Sequence, residues 1–383
     1  MCFLTGLFEG LDLQALGVAA PAVAAELELI PAQLGYVGSA SSLGLFLGAM
    51  TGGMLADRIG RRAVLLGAVL VFGSFSILTP LASGSSSLIV LRALTGLGLG
   101  AGLPTIIAIA AEASSPERRS GTVTMMYSST PVGGVIASGL AYFLAEDWRI
   151  IFYVGGLAPL MLVPLLYWRL RDATAVAAAA DSGRGGRGVT VALFGEGRAR
   201  ATLLLWMGFL GSLLVLYLLL NWLPVLLVSK GFSRSDASTV QVAFNVGGAL
   251  GALALGWAID RIGRRVVLAG AFAAAAAAIA GLAALEDSYP AVLGAGFVAG
   301  VFVNGSTFLI YGLAPAYYGT TIRGTGVGWA VAVGRIGSIL GPLLAGILLG
   351  TGRSSDQVLL SILPIVLITA LAAQLLLFRR TEA

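Results

Sequence analysis

The sequence predicts an all-α membrane protein of twelve transmembrane helices in two six-helix halves. Three observations predict it. Apolar residues make up 58% of the 383 and charged residues 11%, where a soluble domain carries about 25% charged residues. Twelve apolar runs can be marked, each near the ~20 residues that cross a bilayer as a helix. Finally, Asp57-Arg-Ile-Gly-Arg-Arg62 returns unchanged as Asp260 to Arg265, and Gly53 returns as Gly256, at a constant offset of 203 residues. An offset near half the length marks a duplicated unit.

The runs fall at 3–25, 35–56, 63–82, 87–110, 120–144 and 149–169. After a gap they resume at 201–227, 237–258, 266–285, 290–314, 324–349 and 357–378. The first is not a signal peptide, because it lacks a basic lead and contains Glu9 and Asp12. The mean hydropathy of +0.95 suits burial in lipid, and the 54 glycines suit close helix–helix approach there. Residues 170–200 are Ala-, Gly- and Arg-rich with no apolar period, which predicts a flexible linker. The expected division is therefore 1–169, linker 170–200, and 201–383. With both ends on one side, that side holds seventeen Lys and Arg residues and the other holds four. The bias predicts cytoplasmic termini and a cytoplasmic linker.

Several function classes drop out. The chain has no histidine and a single cysteine, Cys2. Without histidine, any proton traffic must run on carboxylates, tyrosines or water. No cluster of metal ligands exists, and no nucleophile stands in helical register with a base, so neither a catalytic nor a metal site is expected. The net charge of +5 is a loop effect without interleaved aromatics, which argues against nucleic acid. No cofactor is expected.

The informative residues are polar ones inside spans. Glu9 and Asp12 are three apart and share one face of the first helix. An ionised side chain near the bilayer centre costs about 2.5–3.5 kcal/mol on insertion scales, tolerable beside a watery cavity or a helix contact. The pair is expected to titrate as a unit, with Asp12 the main proton carrier and Glu9 beside it. Arg92, Gly96, Gly100 and Pro104 recur every four residues, forming one stripe. Either this stripe meets substrate, or the glycines pack a helix while Arg92 snorkels outward. Arg335 lies mid-run and cannot be neutralised; it needs an acid, a carbonyl cage or an anionic ligand. Arg335 and Arg92 are both candidates to bind a substrate carboxylate. Further cavity-lining candidates are Tyr127; Tyr217, Asn221 and Trp222; Gln241 and Asn245; and Asn304, Phe308 and Tyr311. Interhelical hydrogen bonding would explain them equally well. Trp148 is expected in an interfacial aromatic belt.

The repeated turns contribute Gly53, Asp57, Arg58 and Arg61, then Asp260, Arg261 and Arg264. An acid at a helix C-terminus opposes its own dipole and is favoured only against another helix's N-terminus. The turns are thus expected to act as gating latches; the bland alternative is a topology signal.

The repeated turn resembles the loop signature of the major facilitator superfamily. Glu9-Gly-Leu-Asp12, the turn 53–62, Arg92 to Pro104, Glu112, Arg323-Gly-Thr-Gly326 and Arg335 to Pro342 resemble its aromatic acid:proton symporters over nearly the whole chain. Asn221-Trp-Leu-Pro224 and Tyr311-Gly-Leu-Ala-Pro315 are similar to its hydroxyphenylpropionate transporter branch. The resemblance implies alternating access, transport-linked roles for Glu112 and Arg323, and uptake of a small aromatic carboxylate with protons. It also implies a functional monomer in the inner membrane, in contact with lipid. Many relatives of this kind have Asp at the Glu9 position, and some carry a histidine in the second half. They also carry a short polar lead-in, so either an upstream start or a lost N-terminal tail is expected. Thr130-Pro-Val-Gly-Gly134 departs from the fifth-helix signature of drug antiporters, which favours uptake. A proton-driven exporter and a non-transporting sensor remain the alternatives.

Overall fold

A computed structural model describes the chain except residues 113–118, 144–146, 170–188, 286–287, 320–321 and 379–383. At 57, 103–104, 107–108, 111–112, 119–125, 127–128, 189, 192, 324 and 378 the backbone alone is described. The described residues are helical almost throughout. In the first half lie α1 (Cys2–Glu26), α2 (Pro31–Ile59), α3 (Arg61–Leu78), α4 (Ser85–Glu112), α5 (Arg119–Phe143) and α6 (Arg149–Arg169). A short α7 (Val189–Phe194) precedes α8 (Ala199–Ser229), α9 (Arg234–Ile262), α10 (Arg264–Ala284) and α11 (Tyr289–Leu313). Then come α12 (Arg323–Gly350), α13 (Ser355–Ser361) and α14 (Leu363–Phe378). Among the described residues, eleven helical segments are long and apolar enough to cross a membrane. The 25-residue α5 is the twelfth helix of spanning length.

Two details differ from the sequence expectation. Within the 170–200 linker, the apolar stretch Val-Thr-Val-Ala-Leu-Phe is helical, as α7, and packs on α8 and α12. Thr202 Oγ1 donates to Leu193 O at 2.7 Å, and the Phe194 ring meets Trp206 edge-on. The last apolar run is split into α13 and α14 at Ile362. Pro364 has no N–H to continue the helical ladder there.

The chain divides into two compact units. One is Met1–Arg184 with Ser233–Val242, and the other is Gly185–Phe232 with Ala243–Ala383. The same pairings recur in each. Helix α1 packs on α5, and α3 packs on α4 and α6; α8 packs on α12, and α10 packs on α11 and α14. Close approach explains the register. A methyl group on Gly44 or Gly48 of α2 would overlap backbone of α4, and one on Gly247 or Gly251 of α9 would overlap backbone of α11. These glycines stand 203 residues apart, so the duplication seen in the turn extends to helix packing.

The turns themselves need glycine at one place. Gly60, between α2 and α3, has φ +89° and ψ 149°, and Gly263, between α9 and α10, has φ +96° and ψ 148°. Only glycine adopts that region readily, which accounts for the letter-for-letter return of this part of the motif.

Candidate functional site

The first unit buries a charged cluster where α1, α3, α4 and α6 meet. Asp12 and Arg92 are both fully buried, with Arg92 Nη2 2.8 Å from Asp12 Oδ2. The same Nη2 lies 3.3 Å from the Asp12 carbonyl, and Nη1 is 3.5 Å from Oδ1. Ser76 of α3 donates to Asp12 Oδ1 and lies 3.2 Å from the Phe152 carbonyl. The Arg92 guanidinium also lies over the Phe152 ring, 5.3 Å from its centre. Gly155 of α6 leaves room beside the Asp12 carboxylate. The pair satisfies both charges at short range, which is the condition for keeping two ions out of water.

Glu9 sits differently. It is 4% exposed, and among the described residues neither carboxyl oxygen has a hydrogen-bond partner. Its carboxyl lies against Gly102 of α4. Arg92 and Gly102 are ten residues apart, about 15 Å along a helix, so the two carboxyls of α1 reach α4 at separate levels. The expected matched pair of acids is therefore two unlike sites. Asp12 is held by a cation, and Glu9 is enclosed without one.

Arg92 does not snorkel. The four-residue stripe also separates in space, because Gly96 and Gly100 face the backbone of α2 at Ser41 and Leu45 while Arg92 turns to α1. Helix packing accounts for the glycines. The Pro104, Glu112 and Tyr127 side chains lie outside the described residues, as does that of Asp57.

The second unit presents Arg335 of α12. It is half-buried, and its Nη1 donates to the Tyr217 hydroxyl of α8 at 2.8 Å. One turn further along α8, Asn221 Nδ2 donates to the Tyr217 carbonyl at 2.8 Å. Two of the sequence candidates, Arg335 and Tyr217, thus meet through their side chains, and the Asn221 amide is turned to its own helix. Trp222 does not join them: it is buried and its indole N–H donates to the Pro342 carbonyl at 3.0 Å, so it joins α8 to α12 rather than lining a cavity. Tyr311 packs edge-on against Phe209, 4.7 Å between ring centres. Asn304 is buried and donates to the Gly300 carbonyl of its own helix at 3.2 Å. Gln241 and Asn245 are buried in α9, and Phe308 is half-buried in α11.

The repeat shows how unequal the units are. A methyl on Gly133 would meet Leu7 O and Leu11 N, and one on Gly337 would meet Leu210 O and Leu214 N. The 203-residue offset therefore relates α1 to α8 in space, and it places Ser212 and Val215 where α1 carries Glu9 and Asp12. There Ser212 and Val215 border a small, mainly apolar cavity that Phe272, Val303 and Val366 also line; the Thr307 and Thr369 hydroxyls at its edge donate to carbonyls of their own helices. Ser212 Oγ has no partner among the described residues. One unit carries the buried charge pair, and the other carries a serine and a valine at the positions matching Glu9 and Asp12.

At the turns, Gly53 is exposed with open space around it, and the Arg58, Asp260 and Arg264 side chains are exposed. Arg61 is half-buried, and Arg323 is exposed at the start of α12. Arg261 lies over Trp257, 4.3 Å from the ring centre. Arg62 donates to the Tyr167 carbonyl at the end of α6 and stacks on its ring at 4.6 Å. Trp148, expected in an interfacial belt, is buried, and its indole N–H donates to Glu26 at 2.7 Å beside the Arg149–Glu26 ion pair.

The sequence model of the Major Facilitator Superfamily matches residues 2–239 and 229–383. The chain belongs to the major facilitator superfamily. It is 43% identical over 383 residues to the 3-(3-hydroxy-phenyl)propionate transporter of Escherichia coli K12, covering 100% of this chain and 94% of that protein. It is 36% identical to the gallate transporter of Pseudomonas putida, covering 92% of this chain and 85% of that protein. In structure it is similar to a mutant of the nucleoside transporter NupG, with a TM-score of 0.82 at 14% identity, covering 98% of each chain. The last likeness shows the fold alone. The protein is a multi-pass membrane transporter and not an enzyme.

Three residues of this transporter's site were invisible to pattern reading. Ser76 is one serine in an apolar run, Phe152 one aromatic among many, and Gly102 one glycine of 54. Only the approach of α3, α4 and α6 to α1 distinguishes them.

Proposed function

We propose that the transporter takes up a small aromatic carboxylate together with protons, by alternating access of two six-helix halves, 1–169 and 201–383. The observation that carries the reading is the meeting of a half-buried arginine and a phenol on two helices: Arg335 of α12 donates from Nη1 to the Tyr217 hydroxyl of α8. Arg92, by contrast, is fully buried against Asp12. Arg335 with Tyr217 is thus the anchor for the substrate carboxylate, and Asn221, Tyr311 and Phe308 border the ring. The names of the relatives, transporters of a hydroxyphenylpropionate and of gallate, support the substrate class.

The proton is assigned to Glu9. A carboxylate enclosed without a donor costs several kcal/mol of lost solvation, and taking up a proton removes that cost. Asp12 is the fixed counter-ion of Arg92, a reversal of the order expected from sequence. Gly53, Asp57, Arg58, Arg61 and their repeats remain gating candidates, with Glu112 and Arg323 as transport-linked residues.

Glu9→Gln is expected to lose gradient-driven accumulation of labelled 3-(3-hydroxyphenyl)propionate in proteoliposomes while retaining counterflow, because exchange does not require the site to discharge. Accumulation at the parent level would remove Glu9 from the coupling step.

The basic-residue bias supports cytoplasmic termini and a cytoplasmic linker; an inner-membrane site and a working monomer among lipid are taken from the family resemblance. A cysteine placed at Ser182, in a Cys2→Ser background, should resist impermeant thiol reagents added to intact cells. Rapid labelling would invert the orientation.

A further inference from the structure

Gly102 stands apart from the other glycines of α4. A methyl group on Gly96 or Gly100 would strike the backbone of α2, and one on Gly98 would strike the backbone of α3. Those glycines set helix spacing. A methyl on Gly102 would instead fall on Glu9 Oε1, with the carboxyl carbon the next nearest atom; the nearest neighbours are all Glu9 side-chain atoms. The volume vacated by the missing side chain is occupied by the end of the Glu9 arm. Glu9 is only 4% exposed, and its carboxyl oxygens have no hydrogen-bond partner among the described residues. The counterpart by offset, Gly305, faces a Leu255 methyl of α9, so the carboxyl-filled notch belongs to the first unit.

We propose that Gly102 is a socket for the Glu9 carboxyl and a positioning residue for proton coupling; this rests on the assignment of the proton to Glu9. The socket lets a carboxyl one methylene longer than aspartate lie flat against α4, enclosed when protonated. It makes no contact with substrate and acts only through Glu9. Length and notch must match. Adding a methyl at 102 expels the longer arm, while shortening the arm leaves a methyl-sized gap that the added methyl fills.

The test is a cycle of Gly102→Ala and Glu9→Asp, with Glu9→Gln as the control, in proteoliposomes loaded for both gradient-driven accumulation and counterflow of labelled 3-(3-hydroxyphenyl)propionate. Gly102→Ala should lower accumulation about tenfold, within the range for side chains in direct contact, with counterflow close to the parent. Gly102→Ala combined with Glu9→Asp should regain most of that loss. Equal harm from Gly102→Ala in both backgrounds, including failure to fold in both, would show a helix-packing role and overturn the socket. So would parent-level accumulation in Gly102→Ala when Glu9→Gln abolishes it. Parent-level accumulation in Glu9→Gln would instead overturn the coupling assignment on which the socket rests.

Discussion

Arg92→Met loses about 3–5 kcal/mol of stability, the usual result of breaking a buried ion pair from one side. The loss follows from the surroundings. Asp12 is fully buried, and with Arg92 gone its remaining side-chain partner among the described residues is the Ser76 hydroxyl. One neutral hydrogen bond does not offset the lost solvation of a carboxylate. The purified variant should show a markedly lower melting temperature in detergent and poor yield. Asp12→Asn should fail in the same way, because an arginine cannot shed its charge when its partner is neutralised. Combining Arg92→Met with Asp12→Asn should recover most of the stability, since neither group is then left charged and alone. A single variant that melts with the parent would mean that the pair does not hold the first unit together.

Arg335→Ala should raise the substrate dissociation constant by two to three orders of magnitude, from the roughly 2–5 kcal/mol lost when one partner of a buried charge pair is truncated. A benzoate-like ligand presents a planar carboxylate, and the guanidinium presents a planar fork that binds it through two hydrogen bonds. Arg335→Lys keeps the charge and loses the fork, so its affinity should fall between parent and Ala. Tyr217→Phe removes the hydroxyl that accepts from Arg335 Nη1 and should weaken binding about tenfold or less, the scale of one hydrogen bond. Calorimetry on the purified protein separates these. Unchanged affinity in Arg335→Ala would move the carboxylate anchor elsewhere.

The fold was legible because each element rests on local information. The run marked at 149–169 coincides with α6, and the other limits lie within a few residues of the helices. Length, hydropathy and turn residues decide where a chain can leave a bilayer, and all three are written along the sequence. The split at Ile362 is marked in the sequence only by Pro364, because hydropathy is continuous over 355–377. The charged residues of the site were legible too, since Glu9, Asp12, Arg92 and Arg335 are costly inside spans. Their partners were not. Three-residue spacing puts Glu9 and Asp12 on one face, but the difference between an acid paired with Arg92 and one without a partner among the described residues comes from α4.

By itself, the sequence determined the class, the duplicated unit, the spans and the acids and cations within them. Those follow from period, composition and a letter-for-letter repeat, which any reader of one chain can count. Only the tertiary structure decided that Arg92 belongs to Asp12 and Arg335 to Tyr217, and that Trp222 and Trp148 are buried structural anchors. The reason is physical: a charge's role in a membrane depends on what lies within a few ångströms of it, and the partners named here, Ser76 and Arg92 for Asp12 and Tyr217 for Arg335, lie on other helices, 64 to 118 residues away in the chain.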